Sequence, residues 1–445
     1  MRIAVINWSR RKAGGVETYL GGVIPELLRA GHKVAFWYEV DLPSNREQIV
    51  LPARIRTWSV AELGTTRALS ALAEWQPDLI YAHGLLDPQL EAATLKIAPA
   101  VFFAHSYYGT CISGAKTFKY PVVRPCQRQF GWECLAHYYP NRCGGLNPLT
   151  MVKEYRRQSL RLELMRDYKA IVTHSRYIQA ELIKHGLSAS SAYRFPYYVH
   201  GTHAASEPDE SVISLRPILA RALPIVGDER QVRAEPSSDG WRLLFMGRMD
   251  MLKGGGVLLE ALPHAAERLG VPLHVTFAGD GPARRAWERR ASRLQRNNNS
   301  LHIKFTGWLN GAQIDNLLDE CDLLVLPSLW PEPFGLVGPE AGLRGVPIAA
   351  FGVGGIPDWL IDGVNGHIAS GNPPTAAGLA DAIIKCLCDP ATHARMKHAA
   401  VSLAQKYNMR NHLAALLDVF AGVIGKEELR HREEAEDAHP AHIIY

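Results

Sequence analysis

Apolar residues in the first half of the chain fall in short, nearly unbroken runs: Ile3–Asn7, Val34–Glu39, Leu79–Gly84, Val101–Ser106 and Ala170–Ser175. Such runs, bounded by Gly, Ser and Asp, predict strands buried on both faces. Between them, apolar positions recur at helical spacing over Val16–Arg29, Val152–Tyr168 and Arg176–His185. A looser, polar stretch over residues 206–240, punctuated by Pro208, Pro217, Pro224 and Pro236, predicts a linker. The alternation then resumes. Strands are predicted at Leu243–Gly247, Val275–Gly279, Ile303–Gly307, Leu323–Ser328 and Ile348–Phe351, with helices at Val257–Leu269, Ala283–Arg296, Ala312–Asp319 and Gly338–Arg344. Strand and helix in alternation imply βα units on parallel sheets. The expected organisation is an α/β half over residues 1–205 and a second over 241–410. A helix over 411–425 is expected to pack back on the first half. Residues 426–445, dense in Glu, Arg and His, are expected to be a flexible tail.

At 445 residues the chain exceeds one ordinary core, and 47% hydrophobic with 21% charged residues is globular composition. A net charge of +5 calls for no nucleic-acid partner, although it suits anionic substrates or a membrane surface. No apolar run reaches the roughly eighteen residues of a membrane span. MRIAVINWSR reads as a strand and not as a signal peptide, so the expected location is cytoplasmic, with the inner face of the membrane as a variant.

Ligands of open parallel sheets sit outside the carboxyl ends of the strands. There, Gly247-Arg248 is followed by Lys253-Gly254-Gly255-Gly256 at the start of a helix. A guanidinium fork, an ammonium point charge and free helix N–H groups suit a diphosphate. A solvated basic turn is the plainer reading of that stretch alone. Phe277-Ala278-Gly279-Asp280-Gly281-Pro282 is a second strand-to-helix turn, common by itself. The third feature is Pro327-Ser328-Leu329-Trp330-Pro331-Glu332-Pro333-Phe334-Gly335-Leu336-Val337-Gly338-Pro339-Glu340-Ala341. Two carboxylates with seven residues between them flank an apolar loop rich in Gly and Pro. Each can accept hydrogen bonds from vicinal sugar hydroxyls, and the amides of Gly335 to Val337 lie at a helix N-terminus.

This stretch resembles the signature of glycosyltransferase family 4, retaining enzymes of the GT-B fold: α/β, two Rossmann-like domains with a deep interdomain cleft. The resemblance continues through Gly345-Val346-Pro347, Gly354-Gly355-Ile356-Pro357 and Asn365-Gly366, and the Gly247-Arg248, Lys253-Gly254 and Gly279-Asp280-Gly281-Pro282 stretches follow the family order. It implies a nucleotide-diphosphate sugar donor, UDP- or GDP-linked, and a hydroxyl acceptor that is a glycan, a lipid-linked sugar or a small molecule. Arg248 and Lys253 would hold the donor diphosphate, Glu332 the transferred sugar and Glu340 the ribose. Gly335, Leu336 and Val337 would offer backbone amides, with Gly279 beside them. In the first half, Gly14 and Gly15 match the family's first glycine loop, and His105 stands where a His near the reacting sugar is common. His83 is a weaker candidate of the same kind. Pro196-Tyr197-Tyr198-Val199-His200 departs from the usual Pro-Asn-Gly-Val-Asp. No metal is implied for catalysis, and no Asp-x-Asp motif stands at either set of strand ends.

Four of the seven cysteines, Cys111, Cys126, Cys134 and Cys143, fall in one segment, residues 107–148, after the His105 strand. A structural zinc is one reading. The wide spacing lacks Cys-x-x-Cys pairs, so isolated thiols are the other, and an odd count without an export signal disfavours disulfides. Lys153, Arg156, Arg157, Arg161 and Arg166 mark the Val152–Tyr168 helix as a basic face, read as a solvated helix or as peripheral membrane contact. Competing functions are an epimerase of the same fold and a non-catalytic sugar-nucleotide sensor. A Rossmann dehydrogenase is disfavoured because neither half opens with Gly-x-Gly-x-x-Gly.

Overall fold

Ile3 to Ile6 are sealed from solvent, and the run that contains them, Arg2–Ser9, is strand β1. The structure, a computed structural model, describes residues 1–11, 14–42, 47–53, 55–195, 197–199 and 239–437. The expected linker, up to residue 238, lies outside the described residues.

In the first half the strands are β1, β2 (Lys33–Val40), β3 (Arg56–Ser59), β4 (Leu79–Ala82), β5 (Ala100–Phe103), β6 (Thr117–Phe118), β7 (Arg124–Pro125), β8 (Ala170–Thr173) and β9 (Ala192–Arg194). The helices are α1 (Gly15–Arg29), α2 (Val60–Leu63), α3 (Thr65–Glu74), α4 (Pro88–Thr94), α5 (Glu133–Tyr138), α6 (Pro148–Leu164) and α7 (Arg176–Lys184). The second half contributes β10 (Trp241–Met246), β11 (Leu273–Ala278), β12 (Leu301–Gly307), β13 (Leu323–Leu326), β14 (Ile348–Phe351) and β15 (Gly366–Ala369). Its helices are α8 (Gly255–Leu269), α9 (Arg284–Asn297), α10 (Gly311–Glu320), α11 (Val337–Leu343), α12 (Ala376–Leu387), α13 (Pro390–Ala404) and α14 (Met409–Asp437).

Among the described residues two large parallel sheets form, in the orders β3-β2-β1-β4-β5-β8-β9 and β12-β11-β10-β13-β14-β15. Ile3 lies opposite Leu79, and Leu243 opposite Leu323. In each sheet the order reverses beside the first strand of its half, at β1/β4 and at β10/β13. Loops diverge there and leave a crevice at the carboxyl ends. These are the two Rossmann-like halves of the GT-B architecture.

Local chemistry fixes the helix starts that face this crevice. Glu17 Oε2 accepts the Gly14 N–H at 2.9 Å at the head of α1, and Ser175 Oγ accepts the Ile178 N–H at 3.2 Å at the head of α7. Both satisfy donors that a helix leaves open in its first turn.

Segment 107–148 holds the short antiparallel pair β6–β7, helix α5 and a satellite core of Ile112, Phe118, Phe130, Tyr138 and Cys143. It is pinned to α7 by a buried ion pair, Lys116 Nζ to Glu181 Oε2 at 2.7 Å.

Helix α14 crosses to the first half: His412 Nε2 lies 2.7 Å from Tyr19 Oη, and Phe420 packs edge-on to Tyr81. The helix does not stop at Lys426. It runs to Asp437, where a flexible tail was expected. Low apolar content suggested fraying, but the backbone stays helical there. The remaining residues, 438–445, are outside the described ones.

Candidate functional site

Beyond β10 the chain turns through Gly247 and makes one tight helical turn, Met251–Lys253, capped by Asp250. Gly254 then takes a left-handed conformation, φ +72°, with no room for a side chain: a Cβ there would lie 1.7 Å from Pro327 O. This close approach sets Lys253 against the loop that follows β13. Its Nζ is 2.6 Å from Glu332 Oε1, which also accepts the Ser328 hydroxyl at 2.6 Å, and it stands 5.4 Å from the Trp330 ring centroid. Lys253 and Glu332, distant in sequence, thus meet in one buried cluster. Arg248 stays at the rim with 67% of its side chain exposed, and its nearest carboxylate oxygen, on Asp250, is 3.9 Å away.

The loop ends at Gly335, φ +83°, where α11 begins. The amides of Gly335, Leu336 and Val337 find no acceptor among the described residues. They form an open N–H rim suited to anionic oxygens. One turn on, Glu340 carries no hydrogen bond there either, and burial, aided by Asp315, pushes its carboxyl up to about 7. Gly279 differs from the expectation of a ligand contact. Its N–H is taken by Gly307 O at 2.9 Å, and its φ of +127° brings it against the backbone of Gly247. It shapes the Arg248 turn.

On the opposite side, His105 follows β5 and His83 follows β4. His105 Nε2 and His83 Nδ1 are 2.8 Å apart. Burial holds the His83 imidazole down to about 3 and keeps His105 well below its usual value, helped by His83, so both are neutral at pH 7. The loop of Gly14 and Gly15 borders open space: a Cβ on either would meet nothing within 4 Å. Trp8 and Val16 beside that loop line the same cavity as His83 and His105, about 200 Å³ in volume.

The two halves are joined where these residues end. Tyr107 Oη donates to Pro331 O, the residue before Glu332, and the Tyr107 and Trp330 rings are 6.3 Å apart. Arg176 donates from Nε to Asp358 Oδ1 and from its backbone N to Oδ2, both at 2.6 Å. Sequence patterns gave no role to Ser328, Trp330 or Tyr107. Ser328 and Trp330 lie inside the motif itself, so a hydroxyl and a ring beside the paired carboxylate were available as signals. Tyr107 carried none, because its partner lies 224 positions away.

The four cysteines of segment 107–148 are free thiols, and Cys126, Cys134 and Cys143 join the satellite core. Among the described residues no group of three or more His, Cys, Asp or Glu is placed to hold a metal ion, so the geometry lends the zinc reading no support. The basic face of the Val152–Tyr168 helix is also revised. The helix spans Pro148–Leu164, Arg157 pairs with Glu154, and Arg161 points inward, 7% exposed.

Two Rossmann-like sheets meeting at their carboxyl ends, with a Lys–Glu cluster and an open helix N-terminus on one side and a glycine loop on the other, are the GT-B architecture with a candidate site in its crevice. Comparison of sequences agrees. The sequence model described as "Glycosyltransferase Family 4" matches residues 13–196, and that described as "Glycosyl transferases group 1" matches 228–402. The chain belongs to glycosyltransferase family 4.

It is 31% identical over 185 residues to a D-inositol 3-phosphate glycosyltransferase of Xylanimonas cellulosilytica, covering 40% of this chain and 42% of that one. It is 34% identical over 168 residues to a glycogen synthase of Mycobacterium tuberculosis, covering 37% and 38%. The matches thus span about two fifths of these relatives. The crystal structure of Anabaena HepE in complex with UDP and glucose has the same fold, with a TM-score of 0.62, 19% identity, and 95% of this chain and 99% of that one covered. Among the described residues no helix is long and apolar enough to cross a membrane.

Proposed function

We propose that the chain is a retaining hexosyltransferase that moves a sugar from a UDP-sugar to a hydroxyl acceptor. The observation that carries this reading is the Lys253–Glu332 cluster, 2.6 Å apart, set against the unpartnered amides of Gly335 to Val337 and the unpartnered carboxyl of Glu340. As the glycosidic bond breaks, negative charge builds on the leaving phosphate. Preorganised cations and amides stabilise that charge, commonly the largest single contribution to catalysis. Lys253 is already in place, and Arg248 is free to swing over the diphosphate. Glu332, buried and fixed by Ser328, faces the sugar, and Glu340 accepts the ribose hydroxyls. Neutral His105, held by His83, borders the reacting face. The acceptor hydroxyl attacks the anomeric carbon from the face the phosphate leaves and gives that phosphate its proton, so the new bond keeps the donor's anomeric configuration. UDP and glucose in the HepE structure support UDP over GDP as the donor base.

A station at a membrane face is part of this reading. Trp132, Leu146 and Leu149 are 72%, 84% and 79% exposed, near the exposed Lys153 and Arg156 of α6. Aromatic and aliphatic side chains among cations suit an anionic bilayer surface.

The reading is tested by UDP release from UDP-sugars offered with hydroxyl acceptors. Lys253→Ala is expected to slow release about 100-fold or more, about 3 kcal/mol of transition-state stabilisation. An unchanged rate would remove Lys253 from the mechanism.

A further inference from the structure

The first-half cavity holds a buried cation that makes no direct ion pair among the described residues. Arg161, on α6, lines it together with His83, His105, Ser106 and Tyr108, and no Asp or Glu does. Its guanidinium donates from Nη2 to Leu85 O at 2.7 Å and lies 4.2 Å from the Tyr108 ring centroid. Its Nε has no acceptor, and among the described residues it makes no ion pair. The nearby carboxylate, Glu91, is fully engaged by neutral donors: Leu85 N at 3.0 Å, Tyr168 Oη at 2.6 Å and Tyr108 Oη. Tyr108, bonded to Glu91 and stacked under Arg161, thus stands between a buried acid and a buried base that do not pair directly.

Desolvating a guanidinium without a partner is strongly unfavourable. Its planar fork matches the paired oxygens of a phosphate or carboxylate. Neither histidine of the cavity can compensate it, because an imidazole is only ever neutral or cationic, and burial keeps both neutral. The cavity's volume, about 200 Å³, is below the roughly 300–1,000 Å³ of sites for drug-sized ligands, so it seats one small unit of whatever ligand enters it.

We propose that this cavity takes the acceptor, and that the acceptor carries an oxyanion, phosphate or carboxylate, whose charge Arg161 holds while a hydroxyl of the same unit faces His105. This rests on the transfer reading above and narrows it to anionic acceptors. Arg161 acts as a specificity-determining residue and takes no part in donor binding.

The test uses the full chain saturated with UDP, so that the Arg248 and Lys253 region is already occupied. Binding of glucose, glucuronate and glucose 1-phosphate is measured by calorimetry on the wild type, Arg161→Met and Arg161→Lys. At least one charged probe is expected to bind the wild type tenfold or more tighter than glucose. Whichever of glucuronate and glucose 1-phosphate binds tighter identifies the oxyanion. Arg161→Met is expected to reduce the charged probe to the level of glucose, with the UDP isotherm unchanged. Should the Met variant not fold, Arg161→Lys, which keeps the charge but loses the fork, is expected to weaken the charged probe threefold or more. Equal binding of glucose and both anions, no anion binding, or anion binding indifferent to both substitutions overturns the proposal. Failure of UDP itself to bind the wild type would instead overturn the donor reading, so the two failures are distinct.

Discussion

At the scale of single residues, Glu340 shows how a site can be held ready at some expense to the fold. Its carboxyl titrates near 7, above the usual 4.5, because burial disfavours the charge. The raised value means the folded state favours the protonated form. The empty protein therefore loses stability as pH climbs from the ordinary carboxylate range through about 7, and carries the full penalty above it. On the proposed function, ribose hydroxyls would donate to the ionised form, so a nucleotide sugar would reverse the balance. A UDP-sugar, which has no phosphate titrating in this range, is expected to bind about tenfold more tightly at pH 8 than at pH 6. Glu340→Gln is expected to raise the melting temperature of the empty protein at pH 8 and to abolish that pH dependence. Calorimetry at the two pH values checks the first effect and the loss of slope together; a slope that survives in the Gln variant assigns it to another group.

At the scale of elements, the site depends on how closely two loops approach. Gly254 and Pro327 O are in backbone contact, and this contact places Lys253 against Glu332. Gly254→Ala, strained both in φ and in space, is expected to destabilise the fold by more than about 1 kcal/mol. A melting temperature equal to that of the wild type would show that the loop yields and that the contact does not set Lys253.

This level also shows what the sequence made legible. Strands β1, β2, β10, β11 and β14 announced themselves because each is a dense apolar run between turn residues. Strands β3 and β9 did not: they have four and three residues, and β3 begins with two exposed positions. Lys253, Glu332 and Glu340 were legible because spacing along one loop and one turn carries the geometry. The inward turn of Arg161 was not. One basic residue among four on α6 gives no sign of its direction until Leu85 and Tyr108 are folded against it. The same limit hid α14 beyond Lys426, where few apolar residues mark a helical face.

At the scale of the molecule, the two halves are held together by Tyr107 with Pro331, Arg176 with Asp358, and α14 with α1. Candidate site residues of the two halves therefore converge only in the assembled crevice. The exposed Trp132 and Leu149 lie on the first half, away from the Lys253 cluster in sequence, so docking and chemistry are separable. Trp132→Ser combined with Leu149→Ser is expected to reduce sedimentation with anionic vesicles severalfold and to leave UDP binding intact. Equal sedimentation of the double variant would remove this face from any membrane role.

The central claim is that the crevice holds a sugar's leaving diphosphate between Arg248, Lys253 and the amides of Gly335 to Val337. A crystal structure with bound UDP tests it most directly. The account predicts phosphate oxygens within hydrogen-bond distance of Lys253 Nζ and of those amides, the Arg248 guanidinium drawn in from the rim, and ribose hydroxyls on Glu340. UDP bound elsewhere, with Lys253 still paired to Glu332 and Arg248 still exposed, would contradict it.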